Sequence, residues 1–133
     1  MSPHYIAVSH RAAHRCEYCH APEAIFNLSF EVEHNIPVSR EGVDAETNLA
    51  LACRSCNLHK ADHINAVDEL TQSLVRLFNP RLDSWNDHFG AVGETGELEG
   101  FTAIGRATVE RLRMNSPPQR AARLQWIRAG LFP

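Results

Sequence analysis

The sequence predicts an α+β fold: a strand, a loop, a second strand and a helix held by four cysteines, with a hairpin and further helices behind them. Three observations predict it. Residues 25–32 alternate, with Phe26, Leu28, Phe30 and Val32 on one side and Asn27, Ser29 and Glu31 on the other, the period of a half-buried strand. After Arg54 the apolar spacing changes to three and four residues. Two C-x-x-C pairs bracket the region where this change occurs.

The elements follow in order. Pro37 ends or edges the first strand, because proline has no amide to give to a ladder. Ser39-Arg40-Glu41-Gly42 reads as a loop, and Asn48-Leu49-Ala50-Leu51-Ala52 as a short apolar return. Leu58, Ala61, Ile64, Val67, Leu70, Leu74, Leu77 and Phe78 then predict one helix that runs from Arg54 until Pro80. Beyond it, residues 88–92 and 98–102 flank Gly93-Glu94-Thr95-Gly96-Glu97 and suggest a hairpin. Residues 105–115 suggest a helix broken by Pro117-Pro118, and a last helix starts near Pro118 and ends near Gly130.

The chain has 133 residues, 44% hydrophobic and 22% charged, an ordinary globular composition for one domain with a packed extension. No apolar run is long enough for a membrane helix. The start lacks a basic stretch followed by an apolar one, so no secretory leader is expected and the cytoplasm is the expected location. Net charge is −3 but uneven: −2 over residues 1–60, −6 over 61–100 and +5 over 101–133. A nucleic-acid partner is therefore disfavoured by the sum and allowed by the distribution, with Arg120 and Arg123 of the basic end as candidate phosphate contacts.

Cys16-Glu17-Tyr18-Cys19 and Cys53-Arg54-Ser55-Cys56 use every cysteine in the chain. Each pair can turn back and offer two thiolates to one tetrahedral ion, so Cys16, Cys19, Cys53 and Cys56 are expected to hold structural Zn²⁺. Disulfides would need an oxidising compartment, and a redox pair would need a single C-x-x-C in a βαβ setting. The long interval between the pairs makes the insert the place to look for function.

That insert carries Glu33-His34-Asn35-Ile36-Pro37, then Asn48-Leu49-Ala50-Leu51-Ala52-Cys53 and Cys56-Asn57-x-x-Lys60. Together with Cys16-x-x-Cys19, these motifs resemble the HNH endonucleases of the ββα-metal (His-Me finger) fold. Glu33 stands where the family usually has aspartate, and Asn57 where it often has histidine. Leu77-Phe78-Asn79-Pro80-Arg81, Trp85, His88-Phe89 and Gly105-Arg106-Ala107-Thr108 are similar to the C-terminal extension of small bacterial members.

The resemblance implies an HNH nuclease domain over residues 16–63 and an extension, residues 64–133, of helices and a hairpin packed on it. It implies that His34 is the general base, that Asn48 holds the loop or the imidazole, and that Glu33 and Asn57 bind one catalytic Mg²⁺ or similar cation. The implied reaction is phosphodiester hydrolysis, expected on DNA, leaving a 5′-phosphate and a 3′-hydroxyl. The competing class is a zinc-stapled module that binds nucleic acid or protein without cutting.

Arg11, Arg15, Arg40 and Arg54 flank the motif as candidate nucleic-acid contacts, and Lys60 is a candidate for a phosphate or a salt bridge. His59 and His63 are four apart on the expected helix, a metal-binding spacing, but read better as side chains facing solvent or substrate. His10 and His14 read as surface helix positions. A one-site enzyme would cut both strands as a homodimer or by two nicks.

Overall fold

The computed structural model describes all 133 residues. It is an α+β protein with five helices and three antiparallel pairs of strands. Helix α1 (Tyr5–Arg11) precedes the first C-x-x-C pair, and β1 (Glu31–His34) pairs with β2 (Leu49–Ala52) in the register Glu31↔Ala52 to His34↔Leu49. Cys53 follows β2 directly, and its sulfur accepts the Cys56 amide at 3.4 Å as the N-cap of α2 (Arg54–Lys60). β1, β2 and α2 are the strand–loop–strand–helix unit the sequence predicts.

The first strand is shorter than its alternation suggests. Residues 23–30 instead close on the Glu23 carboxylate, which accepts from the Phe30 amide at 2.6 Å and the Tyr5 hydroxyl at 2.8 Å. Leu28 is exposed, while Phe26 and Phe30 meet edge to face at 4.9 Å. A side chain taking the backbone donor ends the ladder early.

The long helix is corrected too. Helix α2 stops at Lys60, where Ala61 takes φ 49°, and residues 65–76 fold into β3 (Asn65–Asp68) and β4 (Ser73–Arg76). Val67, Leu70 and Leu74, counted as core on a helix, are exposed on this hairpin. The physical reason is distant in sequence. Arg106 donates twice, each at 3.0 Å, to the buried Asp68 carboxylate, and Asp68 also takes the Thr71 hydroxyl and, through its carbonyl, the Gln72 amide. Arg106 and Thr71 hold that carboxyl well below the usual carboxylate range. This turn contains neither glycine nor Asn-Gly, so no local signal marks it.

Further along, α3 (Trp85–His88) leads into β5 (Phe89–Ala91), which pairs with β6 (Leu98–Gly100) where the hairpin was expected. Helices α4 (Ala103–Arg111) and α5 (Pro117–Arg128) follow, the second starting on proline and released at Gly130 with φ 73°. One buried cluster runs from Val8 and the cysteines through Leu49 and Leu51 to Phe78, Phe89, Leu112 and Trp126. The Trp85 indole donates to the Tyr18 carbonyl at 2.8 Å, so residues after 64 pack against the first cysteine turn. No helix is long and apolar enough to cross a membrane.

Candidate active site and its metal-binding cysteines

The cysteine cluster is built by two similar turns. In each pair the amide of the second cysteine points at the sulfur of the first, Cys19 to Cys16 at 3.5 Å and Cys56 to Cys53 at 3.4 Å. The turns are tied together where the Glu17 amide donates to Leu51 and the Leu51 amide donates to the Glu17 carboxylate. All four sulfurs are buried and lie within 4.8 Å of one another, with Cys19 and Cys53 at 3.8 Å. Zn–S bonds of about 2.3 Å in a tetrahedron put sulfurs about 3.8 Å apart, so the donor set fits zinc.

The sulfurs also act strongly on one another. Hydrogen bonds from Cys16, Cys19 and Cys56 pull the Cys53 thiol strongly down, while contacts with the other sulfurs push Cys19 and Cys56 up. A divalent cation at this point would supply the charge that lets four thiolates coexist.

Across β1 and α2 lies the second cluster. His34 ends β1, Asn57 sits on α2, and both line an open concavity of about 280 Å³ whose wall includes Glu33, Pro37 and Val38. Glu33 is 6% exposed, and its carboxylate takes the Tyr18 hydroxyl and, at 3.1 Å, the Lys60 ammonium. Burial pushes its pKa up, against the pull of Lys60 and Tyr18. On the outer side Asn57 Nδ2 donates to Glu31, which also meets Arg54 at 3.3 Å.

Asn48 is spent on backbone. Its oxygen accepts the Ile36 amide and its nitrogen donates to the Ile36 and Val43 carbonyls, all at 2.9 Å, pinning the loop between β1 and β2. The imidazole of His34 is met by a residue the motif does not contain: Asp44 Oδ1 lies 3.0 Å from His34 Nε2.

Residues 16–63 match the family model described as HNH endonuclease. This segment is an HNH domain. Searches of the curated proteins and of the solved structures returned no match.

The HNH segment brings His34, Glu33 and Asn57 to one concavity and keeps Asn48 behind its loop. It corrects two expectations. Lys60 is buried, and its ammonium is consumed by Glu33, His34 O and Asn35 O, so it cannot reach a phosphate; the salt-bridge reading holds. Arg123, outside the segment, has no exposed surface and donates to the Gly96 and Met114 carbonyls at 2.8 Å, so it is a strut and not a phosphate contact. Arg120 is exposed.

The remaining candidates divide similarly. Arg11 donates to the Glu46 and Leu49 carbonyls and Arg15 to those of His20 and Leu131. Arg40 is exposed beside the concavity with Nε on the Asp62 carbonyl, and Arg54 is exposed at the start of α2. His63 lies beyond the helix end, so the two histidines do not share a helix as expected, and His59 caps its own turn on the Ser55 carbonyl. His14 also falls past α1 and meets Glu23 at 2.8 Å.

Asp44 and Glu31 are the site residues the motif did not flag. Glu31 was visible as a carboxylate three positions before the histidine on the same strand. Asp44 had no signal, because its place depends on the loop fold.

Proposed function

We propose that the protein is a metal-dependent endonuclease that hydrolyses phosphodiester bonds, with DNA as its substrate. The observation that carries this reading is His34 and Asn57, from different elements, lining one open concavity with Glu33 inside the HNH segment. A pure binding module has no use for an imidazole beside hard oxygen donors.

His34 is the general base: its neutral ring takes a proton from the attacking water. Asn57 supplies the amide oxygen for one divalent cation, and Glu33 presents a carboxylate edge to the same concavity. Lys60 and Tyr18 orient that carboxylate from the core side while leaving it lone pairs for an ion. Glu31 adds a second carboxylate against Asn57. A bound Mg²⁺ or similar ion supplies polarisation of the scissile phosphate and charge for the leaving oxygen. Arg40 and Arg54, exposed on the loop after β1 and at the start of α2, steady the strand through its phosphates. Zn²⁺ in the four cysteines holds β1, β2 and α2 in this arrangement. Cutting both strands takes two separate nicks or a homodimer.

The test is cleavage of supercoiled plasmid with Mg²⁺, Mn²⁺ or EDTA, comparing the wild type with zinc-loaded His34→Ala. Expected is metal-dependent cutting that falls by about 10²–10⁴ in the variant at unchanged melting temperature. Equal cutting by both proteins would remove His34 from the mechanism. Binding without any cutting of DNA or RNA would move the protein to the non-catalytic class.

A further inference from the structure

We propose that Asp44 is the positioning residue for His34, fixing its ring with Nε2 as donor and leaving Nδ1 as the basic atom. The inference rests on the general-base reading of His34 and names what makes that base work.

Asp44 is ten residues from His34 and is brought to it by a loop with little freedom. Asn48 holds both ends of the turn, at Ile36 and at Val43, the residue just before Asp44. Gly42 packs against the carbonyls of Ile36 and Pro37 so closely that a Cβ there would lie 1.7 Å from the Ile36 oxygen. Its amide donates to the Pro37 carbonyl at 2.9 Å. From the other side Arg11 holds the Glu46 and Leu49 carbonyls, just past Asp44. The Asp44 carboxylate thus arrives 3.0 Å from His34 Nε2 on a backbone fixed before and after it. Its other titratable neighbour is His4, whose Nε2 lies 3.8 Å from the same oxygen.

A neutral imidazole carries one proton, and a carboxylate at Nε2 accepts it and sets the tautomer. Asp44 is 67% exposed on its side chain, where an ion pair adds little to stability. The geometry therefore points to orientation of the ring rather than to support of the fold. Fixing a catalytic group in one orientation removes the time it spends misaligned.

The experiment uses the full zinc-loaded chain, with wild type, Asp44→Ala and Asp44→Asn. Plasmid cleavage with Mg²⁺ gives kcat and KM, and ¹⁵N spectra of the labelled imidazoles give the ring tautomer without any turnover. Expected for Asp44→Ala is a kcat lower by about 10–100-fold with KM within about twofold, because orientation and not binding is lost. Asp44→Asn, whose amide oxygen still accepts Nε2–H, restores most of kcat. The His34 ring of wild type and Asp44→Asn is a single Nε2–H tautomer, and in Asp44→Ala it averages with the Nδ1–H form. Wild-type rates in Asp44→Ala, or an Nδ1–H ring in the wild type, would overturn the proposal. A wild type that cuts nothing would instead sink the nuclease reading, while the tautomer spectra still decide the role of Asp44.

Discussion

Around the cysteines, much of what is buried is directional: Glu33 against Lys60 and Tyr18, Asn48 on three backbone groups, and four sulfurs aimed at one point. Behind them the burial is mainly apolar, with Leu77, Phe78, Phe89, Leu98, Leu112 and Met114 packed against the back of the first region. The two parts share a core but not a source of stability. Directional groups place side chains accurately, and the four sulfurs among them are grouped as a metal ion would need. Apolar packing tolerates variation and carries no chemistry. The division puts the costly groups where side-chain geometry is fixed and the forgiving ones where only bulk is needed.

The sharpest way to break this comparison is to remove the cation's ligands. Cys16→Ser or Cys53→Ser is expected to lose zinc and unfold residues 16–63, since structural zinc contributes on the order of 10 kcal/mol to such small units. Zinc content and melting temperature report it. Chelation of the wild type should do the same. If either variant keeps zinc and its melting temperature, the four sulfurs are not the staple.

The next largest effect belongs to the extension. Arg123, like Asp68, departs from its apolar character: it is a buried cation that bridges the β5–β6 hairpin to the turn after α4 through the Gly96 and Met114 carbonyls. Arg123→Ala strands those acceptors and is expected to cost about 3–5 kcal/mol. The salt dependence of DNA binding should stay as in the wild type, whereas exposed Arg120→Ala is free to reduce the slope by about 1 if it contacts phosphate. A changed slope in a folded Arg123 variant would return that residue to the interface.

The same division explains what could be read from the sequence. Metal ligands need particular atoms at particular spacings, so the cysteine cluster and the grouping of Glu33, His34 and Asn57 around one concavity were legible in the sequence. Apolar spacing is weaker evidence. Val67, Leu70 and Leu74 fit a helical period by coincidence, and the deciding Asp68–Arg106 contact lies between distant segments. Arg123 looked like part of a basic tail because net charge cannot separate a strut from a surface. Asp44 was hidden because only the folded loop carries it to the ring. The β5–β6 hairpin and α5 were legible from glycine and proline, which act locally on the backbone.

A smaller effect tests the loop itself. Asn48→Ala removes three hydrogen bonds that tie Ile36 to Val43, and a cost of about 2–3 kcal/mol is expected. Because the loop also carries Asp44, kcat should fall further than stability alone explains. Loss of stability with full kcat in the folded fraction would separate the loop from the chemistry.

The smallest effect is one of pH, at the entrance to the first region. Burial raises the Glu23 pKa, but hydrogen bonds from His14, Phe30 and Tyr5 outweigh it and hold the carboxyl below its usual value of 4.5. A carboxylate depressed in the folded state adds stability that is fully present above the unfolded pKa and lost as pH falls through the folded one. Glu23→Gln should therefore lower stability by about 1 kcal/mol at neutral pH, the net worth of a hydrogen bond with charge. The gap between variant and wild type should hold down to about pH 5 and close below it. Comparing the two proteins at each pH cancels the protonation of the zinc-binding thiolates, which both share. A gap that widens on acidification would mean that Glu23 is more protonated in the folded state than in the unfolded chain, and that burial outweighs its three donors.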